Sequence, residues 1–181
     1  MNQQVLMVVT ADDEFVEYAS RAECHSGPGR LHRALAAAIF NDAGQVLLQK
    51  RKSGLWDNYW DVTAATHPLH SADGDESYHA AMARCLLVEW GISVDTEPAL
   101  AFVYQAPYGD SSENEYCVLM VGRYRGVVRP NSEHAYDLRW VDFDACRIDI
   151  SRDPDKYTPW ARISIEALEG HPLTRSVAAA A

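Results

Sequence analysis

The sequence predicts an α+β fold, a sandwich in which a mixed β-sheet lies between helical layers. Strand-like runs outnumber helix-like ones. The long helical segment follows the first strands as a block, without the regular strand–helix alternation of a parallel βαβ protein. The chain has 181 residues, 48% of them apolar, which suits one domain over 1–181 with a core of its own.

Each element has its own signal. Residues 5–10 read as a strand, and a polar turn leads into a second over 15–18. HSGPGR (25–30) is a loop. Two apolar runs, 31–40 and 45–50, are joined by NDAG, a hairpin signal. An irregular, aromatic-rich loop covers 52–60, and a short strand is expected over 61–66. Residues 70–75 are polar and break structure. The spacing of Ala80, Ala83, Leu87 and Trp90 predicts a helix over 76–90 with that stripe inward, stopped by Gly91. Strands follow over 99–105, 116–125 and 137–142, and a last helix covers 161–169. The alanine tail, 178–181, is expected to fray.

Composition limits the function. Sixteen basic residues against 26 acidic ones give a net charge of -10, which opposes a general nucleic-acid binder or a binder of anionic membranes. No run reaches the roughly 18 apolar residues of a membrane span. The N-terminal stretch lacks the basic region and cleavage site of a signal peptide, so a cytoplasmic location is expected. Cys24, Cys85, Cys117 and Cys146 are too sparse for a disulfide scaffold.

Chemistry gathers at a few places. His25 and His32 bracket one loop, and His67 closes DVTAATHP. Glu113 and Glu115 stand two apart in ENEYC, on one face if a strand begins there. Three imidazoles and two carboxylates suit a borderline or hard divalent ion such as Mn²⁺, Zn²⁺ or Mg²⁺. Glu76, Arg84, Glu89 and Gly91 keep the spacing of a Nudix box, G-x5-E-x7-R-E-U-x-E-E-x-G-U, where U is bulky and apolar. His70, Cys85 and Val88 occupy positions of the box glycine and of two of its glutamates, so a hydrolytic metal centre is depleted.

Taken in order, HSGPGRLHRA (25–34), FNDAGQVLLQKR (40–51), WDVTAATHP (60–68), the degenerate box, ENEYC (113–117), DLRW (137–140) and TPW (158–160) resemble the type I isopentenyl diphosphate isomerases. The likeness runs from about residue 5 to the C-terminal helix. It implies a Nudix-type α/β/α sandwich and a prenyl diphosphate substrate. It also implies His25, His32, His67, Glu113 and Glu115 as ligands of a Mn²⁺ or Zn²⁺ ion, and Glu89 as a ligand of a Mg²⁺ ion shared with the diphosphate. Arg21 and Arg51 match diphosphate-gripping cations, and Tyr104 and Trp160 match the lining of the alkene pocket. Glu115 matches a proton-transferring carboxylate with Tyr104 beside it as its catalytic partner.

One departure stands out. The family's catalytic thiol falls at Ala65, and a methyl group neither gives nor takes a proton. The 52–60 loop is about two residues short, about four residues are inserted between His67 and Glu76, and a diphosphate-binding lysine has no certain counterpart. Cys117 shares its strand face with Glu115, and the family also carries a cysteine there, so it is not a substitute. His70, His79, His134 and His171 are expected on the surface, while Trp56 and Trp60 suit either a pocket roof or a core cover. Three functions follow: proton-initiated chemistry on a prenyl diphosphate (isomerisation or cyclisation), a Nudix diphosphate hydrolase, or a non-catalytic prenyl diphosphate-binding protein. The oligomeric state is not legible.

Overall fold

A computed structural model describes residues 4–177, and the alanine tail over 178–181 lies outside them. In chain order the elements are β1 (Val5–Val9), β2 (Phe15–Ser20), α1 (Arg21–His25), β3 (His32–Phe40), β4 (Gln45–Arg51), β5 (Trp60–Asp61), β6 (Ala64–Thr66), β7 (His70–Ser71), β8 (Gly74–Asp75), α2 (Tyr78–Trp90), β9 (Glu97–Tyr108), β10 (Ser111–Arg123), β11 (Ala135–Asp142), α3 (Phe143–Arg152) and α4 (Pro159–Ala167). All the strands join one sheet, antiparallel except where β10 runs parallel to β3.

β3 is the axis of the fold. Its side chains alternate between two cores because strand side chains alternate between faces. Ala34, Ala36, Ala38 and Phe40 face α3 and α4, whereas Leu35, Ala37 and Ile39 face α2. This is the α/β/α sandwich expected from the sequence. Among the described residues no helix is long and apolar enough to cross a membrane.

The NDAG hairpin forms, but it opens at once. β3 and β4 pair only at Phe40↔Val46. Beyond that point the 60–66 segment is wedged between them, β5 pairing with β4 and β6 with β3. Thr63 holds the wedge: its hydroxyl donates to the Leu47 carbonyl (2.7 Å) and accepts from the Ile39 amide (2.9 Å). The expected single strand over 61–66 is therefore two short pieces, and Ala65 is seated beside Ala36.

Two expectations are corrected, and two helices are added. Residues 70–75 do not simply break structure: His70 and Ser71 pair with Asp75 and Gly74 in a small hairpin. α1 and α3 had no apolar periodicity to announce them; they rest on caps, Ser20 in a reciprocal capping box with Glu23 and Asp142 accepting from the Ala145 amide. On α2 the buried residues are Ala81, Met82, Cys85, Leu86 and Trp90, while Leu87 is 60% exposed. The helix offers two overlapping apolar arcs about 100° apart. Its rotation is fixed by Arg84, whose guanidinium grips Glu76 through two 2.8 Å hydrogen bonds.

Candidate active site

Loop packing brings the first candidate ligands together. The 26–31 loop is pinned to β10: Ser26 bridges Ser111, and the Asn114 amide donates to the Gly29 carbonyl at 3.2 Å. Gly29 has φ +71°, and a Cβ there would lie 3.0 Å from both the Asn114 Cβ and the Ser112 carbonyl oxygen. His25, at the end of α1, thereby meets Glu113, with Nε2 to Oε2 at 2.9 Å.

Register supplies the rest. His32 and Glu115 are partners across the parallel β3–β10 pair, and Glu115 and Tyr104 are partners across β9–β10. The Tyr104 hydroxyl donates to Glu115 Oε2 at 2.5 Å. His67 lies just past β6, its Nε2 3.1 Å from Glu115 Oε1. The Arg84 guanidinium that grips Glu76 also donates to the His67 carbonyl at 3.0 Å, so the box helix holds this histidine in place.

Ligand atoms of His25, His32, His67, Glu113 and Glu115 all lie within 4.8 Å of one another. The Nδ1–H groups of His25 and His32 donate to the carbonyls of Arg21 and Arg30, both at 2.7 Å, which turns the Nε2 lone pairs inward. His25 Nε2, His32 Nε2 and Glu113 Oε2 are buried and find no hydrogen-bond partner among the described residues; with the His25 proton on Nδ1, the 2.9 Å approach of Nε2 to Glu113 sets lone pair against lone pair. Buried polar atoms are seldom left so, and a borderline divalent cation answers all three at once. The residues present fit such an ion.

Burial governs the protons here. It raises the Glu115 carboxyl well above the ordinary range, with the Glu113 charge adding to the effect. Burial followed by the neighbouring carboxylates likewise raises the Tyr104 phenol. It lowers His67, assisted by His32 and His25, and lowers His32 to about 4. Metal-free protein is expected to lose stability as pH falls from 6.5 toward 4. The His32 ring binds its proton near 6.5 when unfolded and near 4 when folded, so across that window the unfolded chain holds the extra proton and gains. The contribution is on the order of 3 kcal/mol. Urea unfolding of the wild type and of His32→Gln between these pH values checks this; an unchanged pH slope in the variant refutes it.

These groups open onto a cavity of about 280 Å³, to which Arg21, Arg51, Ala65, Glu89, Tyr104 and Trp160 also contribute. Arg51 lies in the wall, stacked 5.1 Å over the Trp160 ring, while Arg21 is exposed at the mouth. Glu89 is half-buried, and burial raises its carboxyl. Ala65 presents its methyl to the cavity, and Cys117 lines it on the strand that carries Glu115. Every site residue singled out in the sequence thus touches this one cavity or the His/Glu cluster beside it.

His134, expected on the surface, also lines the cavity, 3.8 Å from Glu89. It sits in the irregular run before β11, where no periodicity could orient it. Asp61, completely buried against Arg51, was missed as well, although an acid inside the apolar WDVTAA run was its signal. The two tryptophans separate. Trp56 packs near Trp160 and Tyr108, whereas Trp60 lies under the cations of Arg139 and Lys50.

A model of the NUDIX domain family matches residues 30–161, and the sandwich around this cluster defines the protein as a Nudix protein. Solved structures share that fold at low identity: DR0079 from Deinococcus radiodurans (TM-score 0.69, 16% identity, 91% of this chain and 99% of that one) and a MutT protein from Methanosarcina mazei Go1 (TM-score 0.60, 17%, 77% and 94%). Sequence relatives are more specific. The isopentenyl-diphosphate Delta-isomerase of Serratia proteamaculans is 31% identical over 179 residues, 95% of each chain, and isopentenyl-diphosphate Delta-isomerase 1 of Aromatoleum aromaticum is 34% identical over 173 residues, 92% of each. The chain belongs to the isopentenyl-diphosphate isomerase-like enzymes of the Nudix family.

Proposed function

We propose that the protein is a metal-dependent enzyme that protonates the alkene of a prenyl diphosphate, with Glu115 and Tyr104 handling the proton. The observation that carries this reading is the buried Tyr104–Glu115 hydrogen bond at 2.5 Å, in a cavity that also holds Arg51 and the Trp160 ring. A divalent ion held by His25, His32, His67, Glu113 and Glu115 (Mn²⁺, Zn²⁺ or Mg²⁺) would relieve the repulsion between the two carboxylates, and Mg²⁺ at Glu89 would neutralise diphosphate charge.

Arg51 and Arg21 bind the diphosphate and leave the hydrocarbon to the aromatic wall. A proton from the Glu115–Tyr104 pair goes to the less substituted alkene carbon, and the π electrons form the new C–H bond. This leaves a tertiary cation that the Trp160 face stabilises. The cation then loses a proton, directly or after closing a ring on a second double bond. The protonation step is common to isomerisation and cyclisation. Ala65 removes the opposite-face partner on which ordinary exchange between isopentenyl and dimethylallyl diphosphate depends, which favours chemistry run from one acid.

Two observations weigh against a hydrolase: Cys85 is buried in the α2 core and Val88 is 57% exposed, where the Nudix box has glutamates. The test uses Mg²⁺ or Mn²⁺ with isopentenyl, dimethylallyl, geranyl and farnesyl diphosphates in heavy water. Carbon-bound deuterium in a product that keeps its diphosphate is expected. Phosphate or diphosphate release without such deuterium would show hydrolysis or ionisation instead, and tight binding without turnover would show a sensor.

A further inference from the structure

Asp61 bonds both Arg51 and the cap of the helix that carries Trp160, and the sequence motifs leave it without a role. Its carboxylate is fully buried at the end of β5. Oδ2 accepts from Arg51 Nη1 at 2.8 Å. Oδ1 accepts from the Val62 amide at 2.8 Å and from the Thr158 hydroxyl at 3.0 Å. Thr158 is the N-cap of α4, the helix that carries Trp160, and its own amide donates to the Trp60 carbonyl at 2.9 Å. One carboxylate therefore ties the cation of the wall to the helix that carries the aromatic ring.

Arg51 is held on three sides. Asp61 takes Nη1, Ser53 Oγ accepts from Nη2 at 3.3 Å, and the Trp160 ring lies 5.1 Å below. A free arginine side chain has many rotamers to lose on binding. Here that freedom is already lost in the fold, so the guanidinium faces the cavity with its orientation set and its remaining N–H groups available. Asp61 also neutralises Arg51, so the grip on an anion rests on directed hydrogen bonds more than on net charge.

We propose that Asp61 is a positioning residue for diphosphate binding: it acts through Arg51, and through Thr158 it keeps the Trp160 wall in register with that cation. The inference rests on Arg51 being a diphosphate ligand, as in the proposed function. A double-mutant cycle tests it, with inorganic diphosphate and Mg²⁺ as the probe in calorimetric titrations of the full chain.

Arg51→Gln and Asp61→Asn are each expected to weaken binding about 10- to 100-fold. The double variant should bind no worse than Arg51→Gln alone. It should also unfold at a higher temperature than Asp61→Asn, because the uncompensated buried cation is gone. Equal, multiplying losses in the double variant would overturn the inference by showing that Asp61 does not act through Arg51. Wild-type binding by Asp61→Asn alongside a weakened Arg51→Gln would overturn it while leaving the Arg51 reading intact. Wild-type binding by Arg51→Gln would remove both. If Asp61→Asn does not fold, Asp61→Glu keeps the charge but displaces it by one methylene; weakened binding is expected, and unchanged binding overturns the inference.

Discussion

Replacing Glu115 by glutamine is expected to lower turnover on a prenyl diphosphate by about 10³-fold or more, within or above the usual range for a general acid or base. The side chain is 8% exposed, and it accepts the Tyr104 hydroxyl while facing His67. An amide keeps that shape and one oxygen but carries no proton that can be exchanged with an alkene. Glu115 is also a candidate metal ligand, so metal content must be measured beside the rate. Loss of turnover with the ion retained assigns the proton to this carboxylate. A fully active variant would falsify the assignment.

Restoring a thiol is expected to have an effect of similar size in the opposite direction. Ala65→Cys should raise the exchange of isopentenyl and dimethylallyl diphosphates by about 10²- to 10⁴-fold, the span of a positioned acid or base. β6 pairs with β3 at Ala36↔Ala65, and the methyl already faces the cavity, so a sulfur added there reaches the substrate space without moving the backbone. Gas chromatography of the dephosphorylated products measures the exchange. No gain would mean that the cavity differs from that of the relatives by more than this residue.

The His/Glu cluster was legible because its residues lie in compact motifs, HSGPGRLH, ATHP and ENEYC, whose order along the chain carries the likeness. The geometry that joins them was not. Nothing local says that residues 60–66 enter the open fork between β3 and β4; that depends on the Thr63 hydroxyl meeting Leu47 and Ile39. The rotation of α2 was misjudged for a similar reason, since Arg84 and Glu76 decide between two apolar arcs. Asp61 and His134 escaped because the direction a side chain faces is a tertiary property: neither an acid in a short strand nor a histidine in a loop shows it from sequence.

The parallel pairing of β3 with β10 also sets when the centre comes into being. Parallel neighbours close only after the chain between them has been arranged, so such contacts form slowly. His32 and Glu115 meet at that closure. Until the sheet has zipped, a divalent ion would meet the His25–His32 and Glu113–Glu115 pairs apart, never all five groups together. An ion held there would therefore act as a latch on a finished structure: it would slow the escape from the native state and leave the pace of folding to the chain itself.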